Sequence, residues 1–265
     1  MKAVIMTDRV KDILDWISPL DFSVQQKLAY RTHQQGTGLW FLDSPEFQHW
    51  LFEPRQVLFC PGIPGAGKTV MSSIVIDFLN KKSEKDSEVK VAFLSCSYQS
   101  QHGQQPADLL SSILRQLAYK NSGELCSHVE HLYEARKSAD RVALNHDEVG
   151  PTLLHTLGLY KRIFIVIDGL DEYIPSKPEE RRRLQSELFK LQNDFPVNIL
   201  VTSRFVSEIL RDFEGFPWKE IRAVDEDVLN YANTRIPLLV RGTIPNHPGT
   251  QDEVRQSIVT SADGM

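Results

Sequence analysis

Eight consecutive residues, Gly62-Ile63-Pro64-Gly65-Ala66-Gly67-Lys68-Thr69, combine glycine, lysine and threonine at a spacing suited to gripping phosphate. Glycines let the backbone turn without Cβ clashes, so successive N–H groups can converge on phosphate oxygens. Lys68 offers a compact positive charge to the β- and γ-phosphates, and Thr69 offers a hydroxyl to Mg²⁺. Val70 opens the following helix and completes the candidate binding set. A second cluster lies roughly a hundred residues further on, where the apolar run Ile163 to Ile167 ends in Asp168 and is followed by Asp171 and Glu172. A carboxylate at the C-terminal end of a buried parallel strand sits where α/β sheets bind ligands, which makes Asp168 the candidate metal ligand. Asp171 or Glu172 could orient or deprotonate an attacking water. A third run, Val197 to Ser203, ends at Arg204, which could reach a γ-phosphate or be a plain surface arginine.

These residues need a parallel sheet to bring them together. Val57 to Cys60 reads as the strand before the glycine loop, and Val70, Met71, Ile74, Val75 and Phe78 give the helix after it one apolar face. Phosphate would then meet the positive end of a helix dipole. Val91 to Leu94 and Trp218 to Arg222 are further strand candidates, which makes five in a mainly parallel sheet. Helical patterns occupy residues 9–20, 106–117, 149–159, 181–191, 225–236 and 251–262, and Ser44-Pro45-Glu46 caps another through Phe47, Trp50 and Leu51. Ser23 to Gln35 is a polar stretch, and Gly36-Thr37-Gly38 is a flexible lead-in to Trp40. The tryptophans suit core packing, although Trp40 or its neighbours could line a nucleotide base. Cys126, His128 and His131 have no second ligand cluster, which disfavours a metal site there. Arg181, Arg182 and Arg183 suit a solvated helix face.

The net charge of −5 disfavours a generally basic nucleic-acid binder. Three scattered cysteines build no disulfide framework and suit a reducing, cytoplasmic setting. No segment reaches the ~20 apolar residues of a membrane helix, and Ala3 to Met6 is too short for a signal-peptide core.

Three motifs occur in order: the loop Gly62 to Thr69, the box Asp168 to Glu172, and the strand tip Thr202-Ser203-Arg204. With them come Gly36-Thr37-Gly38-Leu39-Trp40 upstream and Asp225-Glu226-Asp227-Val228 downstream. Together they resemble a NACHT domain, the STAND-class P-loop NTPase module of NOD-like receptors, and most closely its fungal branch. The resemblance implies a three-layer α/β/α fold with a five-stranded sheet, ATP or ADP with Mg²⁺, and a role as an oligomerisation switch. It assigns Lys68 and Thr69 to phosphate and metal, Asp168 to metal, Asp171 and Glu172 to the catalytic acidic box, and Arg204 to a sensor. Gly169 stands where many related ATPases carry a catalytic glutamate. It also implies a linker over residues 1–35, the nucleotide-binding domain over 36–222, and the start of a helical domain over 223–265. Relatives of that kind continue into a winged helix and ligand-sensing repeats, so the chain reads as one that stops short of them. Two other functions stay open on the residues alone: a binding module that never hydrolyses its nucleotide, and a small-molecule kinase with Arg181 to Arg183 in a lid. No Asn-Lys-x-Asp guanine-reading box is present, which favours adenine.

Overall fold

The computed structural model describes residues 6–97, 105–120, 122–136, 144–173 and 178–240, with residue 257. In chain order the elements are α1 (Asp8–Ile17), α2 (Ser23–Thr32), α3 (Leu39–Leu42), α4 (Pro45–Phe52), β1 (Val57–Pro61), α5 (Lys68–Ser83) and β2 (Val89–Ser95). They continue with α6 (Pro106–Ala118), α7 (Ser127–Arg136), α8 (His146–Leu157), β3 (Arg162–Asp168), α9 (Pro178–Asp194), β4 (Val197–Ser203), α10 (Ser207–Asp212) and α11 (Asp225–Val240). The helical pattern at 251–262 and the final Asp263-Gly264-Met265 lie outside the described residues, residue 257 excepted.

Near-continuous apolar runs form the strands because both sheet faces are covered. Val57, Phe59, Ile163, Ile165, Ile167, Val197, Ile199 and Val201 turn towards α1, α6, α8 and α9. Leu58, Cys60, Phe164, Val166 and Leu200 turn the other way, towards Phe47, Trp50, Met71, Val75 and Leu79 of α4 and α5. Alternation of side chains along each strand therefore builds two cores and three layers. The sheet is parallel, in the order β1-β4-β3-β2. As the ATPase-type order requires, β4 separates the phosphate-loop strand from the strand ending in Asp168.

The described sheet has four strands, not five. Residues 217–221 do run beside β1: Phe59 N–H donates to Pro217 O (3.0 Å), Lys219 N–H to Phe59 O (2.9 Å) and Ile221 N–H to Pro61 O (2.8 Å). The next rung of a parallel ladder would need an N–H on residue 61. Proline has none, so the pairing stays an isolated bridge between Phe59 and Trp218. The opposite edge is sealed by a side chain. Gln116 of α6 accepts from Phe93 N–H (2.9 Å) and donates to Phe93 O (2.8 Å), standing in for a neighbouring strand.

The polar stretch from Ser23 forms α2, which buries no side chain fully. It is held against α5, with Gln26 Nε2 donating to Ser73 O at 3.4 Å. Gly150-Pro151 does not delay α8, because Asn145 and Glu148 form a capping box that starts the helix earlier. Among the described residues no helix is long and apolar enough to cross a membrane, and no cluster of three or more His, Cys, Asp or Glu could hold a metal.

Lys90 of β2 is buried, and burial pulls its ammonium down to a pKa of about 8. Between that pH and the ordinary lysine value the unfolded chain keeps a proton that the native state has released. Stability from this group therefore rises with pH across that window. Lys90→Met is expected to stabilise the chain by up to about 3 kcal/mol at pH 7, with a gain over wild type that shrinks towards pH 10. Urea melts of both proteins from pH 7 to 10 check this; a constant difference would refute it.

Candidate functional site

β1 delivers the chain to the glycine loop, and Gly67 (φ 86°) caps α5. Met71 N–H bonds back to Gly67 O at 2.8 Å, so the N–H groups of the first turn precede any intrahelical acceptor and face outward from the helix end. Gly62 lies under the segment crossing β1, where a Cβ would stand 2.4 Å from Ile221 O, closer than any side chain tolerates. At Gly65 and Gly67 a Cβ would meet nothing within 4 Å, so the loop encloses an open cradle. Ile63 is half-buried, Pro64 exposed and Ala66 buried beneath that loop, with Ala66 N–H bonded to Ile63 O at 3.2 Å. The Lys68 ammonium donates to Gly62 O (2.9 Å) and Ile63 O (2.8 Å). Partial burial lowers its pKa, opposed chiefly by Asp171.

β3 ends at Asp168, which is buried. Its Oδ1 accepts from the hydroxyls of Ser72 (2.9 Å) and Thr202 (2.8 Å), and Thr69 also reaches the carboxylate. Burial raises the Asp168 pKa, and these hydroxyls oppose it. Thr202 Oγ1 in turn accepts from Gly169 N–H at 2.9 Å, which locks β4 to the end of β3. Gly169 has φ 71°, a conformation that would strain the glutamate many related ATPases carry there. A 3-10 turn, Leu170–Glu172, then aims Asp171 at Arg204. Asp171 accepts from Arg204 N–H through Oδ1 (2.9 Å) and from Arg204 Nε through Oδ2. Its side chain is only 3% exposed, so both oxygens are committed to that arginine. Glu172 is half-buried beside it.

Because β1, β4 and β3 are neighbours, Lys68, Thr69, Arg204, Asp171, Glu172 and Asp168 all stand at one end of the sheet. Hydroxyl and carboxylate donors from Thr69 and Asp168 suit a hard cation such as Mg²⁺, and the open cradle suits phosphate. Beyond the cradle lies a cavity of about 350 Å³. Gly65, Gly67 and Val70 form its phosphate side, Thr37, Gly38 and Trp40 one wall, and Asp227, Val228 and Tyr231 the other. Trp40 thus borders the loop, whereas Trp50 and Trp16 are packed in the two cores. Arg181 is elsewhere, paired with Glu208 of α10 at 2.8 Å.

Sequence reasoning assigned no role to Ser72, Thr202 or Asp227. Ser72 had a signal, since it follows Thr69 by three positions and so shares its helix face. Asp227 had one in hindsight, its place in the Asp-Glu-Asp-Val run.

Several solved structures align with the chain. The Aeropyrum pernix Orc1 protein in complex with DNA aligns at 16% identity over 90% of this chain and 55% of that one, with a TM-score of 0.49. Replication initiator DnaA bound to AMPPCP and single-stranded DNA aligns at 14% identity over 89% and 64%, with a TM-score of 0.42. Drosophila ORC bound to DNA aligns at 13% identity over 99% and 58%, with a TM-score of 0.41. This chain therefore spans less than two thirds of the length of each. No curated protein matches the sequence. The family described as Nephrocystin 3, N-terminal, matches residues 36–204. That match takes in the glycine loop, the acidic box and the Arg204 strand tip, and the chain belongs to this family, a NACHT-like P-loop nucleotide-binding region of the STAND class.

Proposed function

We propose that the chain is an ATP-binding, slowly hydrolysing switch whose triphosphate form self-associates, in the manner of NOD-like signalling proteins. The observation that carries this reading is the convergence of Lys68, Thr69, Asp168 and Arg204 on adjacent strand ends beside the Trp40-walled cavity. Lys68 trades its loop carbonyls for phosphate oxygens, keeping a charge-assisted contact throughout. Thr69 and Asp168 would hold Mg²⁺, which would supply charge neutralisation to the phosphates. Arg204 is oriented by Asp171 and contacts the terminal phosphate, so triphosphate and diphosphate stabilise different positions of the β4 tip. With both Asp171 oxygens engaged, Glu172 is the residue we assign to orient the attacking water. The cavity receives the nucleoside, with adenine favoured. Three free, buried cysteines fit a cytoplasmic setting.

The first experiment is the nucleotide content of freshly purified protein, released by denaturation and resolved by ion exchange. Retained ADP or ATP supports the reading. A protein that also stays empty after incubation with ATP and Mg²⁺ overturns it, and equal competition by GTP overturns the preference for adenine. Glu172→Gln is expected to hold ATP within about threefold of wild type while slowing turnover roughly 10- to 100-fold. Unchanged turnover would remove Glu172 from that role.

A further inference from the structure

The segment leading into α3 is held from the far side of the molecule. Asp227 of α11 accepts two hydrogen bonds on one oxygen, from Gly38 N–H at 2.9 Å and from the Trp40 indole N–H at 3.1 Å. One turn along, Asn230 Nδ2 donates to Gln35 O at 3.1 Å. Three bonds thus join α11 to residues 35–40. From beneath, the segment presses on α5. A Cβ on Gly38 would lie 2.8 Å from Ile74 Cδ1, so the segment packs closely against the side chains of α5. Trp40 stands edge-on to buried Phe41, which fixes its ring from the other side. These contacts coincide with the cavity, where Gly38 and Trp40 form one wall and Asp227 and Tyr231 the other.

We infer that Asp227 is a positioning residue for the nucleoside half of the site, setting the separation of these walls and tying whatever fills the cavity to the placement of α11. The inference rests on the nucleotide reading above and adds to it a residue outside the glycine loop, the acidic box and the Arg204 strand tip. An amide oxygen could also accept twice, but a carboxylate does this better because its charge strengthens both N–H bonds. An acidic residue in a first helical turn also steadies the helix dipole by itself, so a merely structural role has to be separated from the positioning one.

The test uses the full chain as wild type, Asp227→Ala and Asp227→Asn, with ATP, ADP and inorganic tripolyphosphate as probes in the presence of Mg²⁺. Tripolyphosphate fills the cradle and leaves the cavity empty. Asp227→Ala is expected to weaken ATP and ADP roughly tenfold or more, the scale of losing a charge-assisted contact, while tripolyphosphate stays within about twofold. Asp227→Asn, which keeps one acceptor, should fall between. Without nucleotide, the alanine variant should also exchange amide hydrogens faster over residues 36–42. Equal losses for all three probes, undiminished nucleotide affinity, or unchanged exchange over that peptide would each overturn the inference. A wild type that binds tripolyphosphate but neither nucleotide sinks the functional reading. A wild type that binds nucleotide, beside an alanine variant that binds it equally well, sinks only the role of Asp227.

Discussion

Lys68→Ala is expected to weaken ATP binding about a thousandfold, from loss of the charge-assisted bonds that the ammonium would give to phosphate, at up to roughly 3 kcal/mol each. In the structure that ammonium already sits in the loop's mouth, bound to the carbonyls of Gly62 and Ile63. It is therefore pre-placed, and little ordering is needed when it changes partners. Arginine should not rescue the loss. Its planar fork is wider than the ammonium and does not fit two converging main-chain carbonyls in the same way. Isothermal titration of wild type, Lys68→Ala and Lys68→Arg decides the matter. Binding by the alanine variant within tenfold of wild type would mean that the loop's N–H groups alone carry the phosphate.

Asp168→Asn is expected to lower hydrolysis by about 10²- to 10³-fold, the cost of removing a charge that organises the reacting phosphate, and to leave ATP binding indifferent to Mg²⁺. The same change should not destabilise the fold. Asp168 is a buried carboxylate whose charge is resisted by its surroundings, and the hydroxyls of Thr202, Ser72 and Thr69 together with the Lys68 charge compensate it only in part. A neutral residue of the same shape escapes that cost, so the variant should melt at or above the wild-type temperature at pH 7. The raised pKa also fixes the sign of a pH effect. The native state binds this proton more tightly than the unfolded chain does, so stability from the group declines as pH rises through its folded pKa. The asparagine variant should lack that decline. Retained Mg²⁺ dependence in the variant would remove Asp168 from the metal site, whatever its stability.

What the sequence discloses here follows the range over which its chemistry is written. Gly62 to Thr69 is legible because every functional group of the cradle lies within eight consecutive residues. Asp168 is legible because five apolar residues announce the strand that ends there. The link between Asp171 and Arg204 is not, since nothing within either segment says that a turn after β3 will meet the tip of β4. Likewise, Trp40 and Asp227 sit 187 positions apart, and only the folded chain makes them partners. The fifth strand failed on a single atom. Its apolar and polar pattern is sound, but its partner strand ends in Pro61, which has no hydrogen to give. α2 was invisible for the opposite reason: its few apolar residues, Val24 and Leu28 among them, stay exposed, and it is held by α5 rather than by a buried apolar face of its own.

The insertion of β4 between β1 and β3 also sets a timetable. β1 pairs only with β4 within the sheet, and Val57 meets Ile199 across roughly 140 residues of intervening chain, a separation that slows formation of the contact. During synthesis at about 5–20 residues per second, the glycine loop would leave the ribosome some 7–30 seconds before the strand that anchors it. For that interval Gly62 lacks the Ser203 carbonyl that receives its N–H at 3.0 Å, and once Asp168 has emerged it waits a few seconds more for the Thr202 hydroxyl. Nucleotide therefore cannot guide the early steps of folding. It can reward only a chain that has already closed the loop from β1 to β4, which makes ligand-dependent protection in a cell extract a report on the completed sheet.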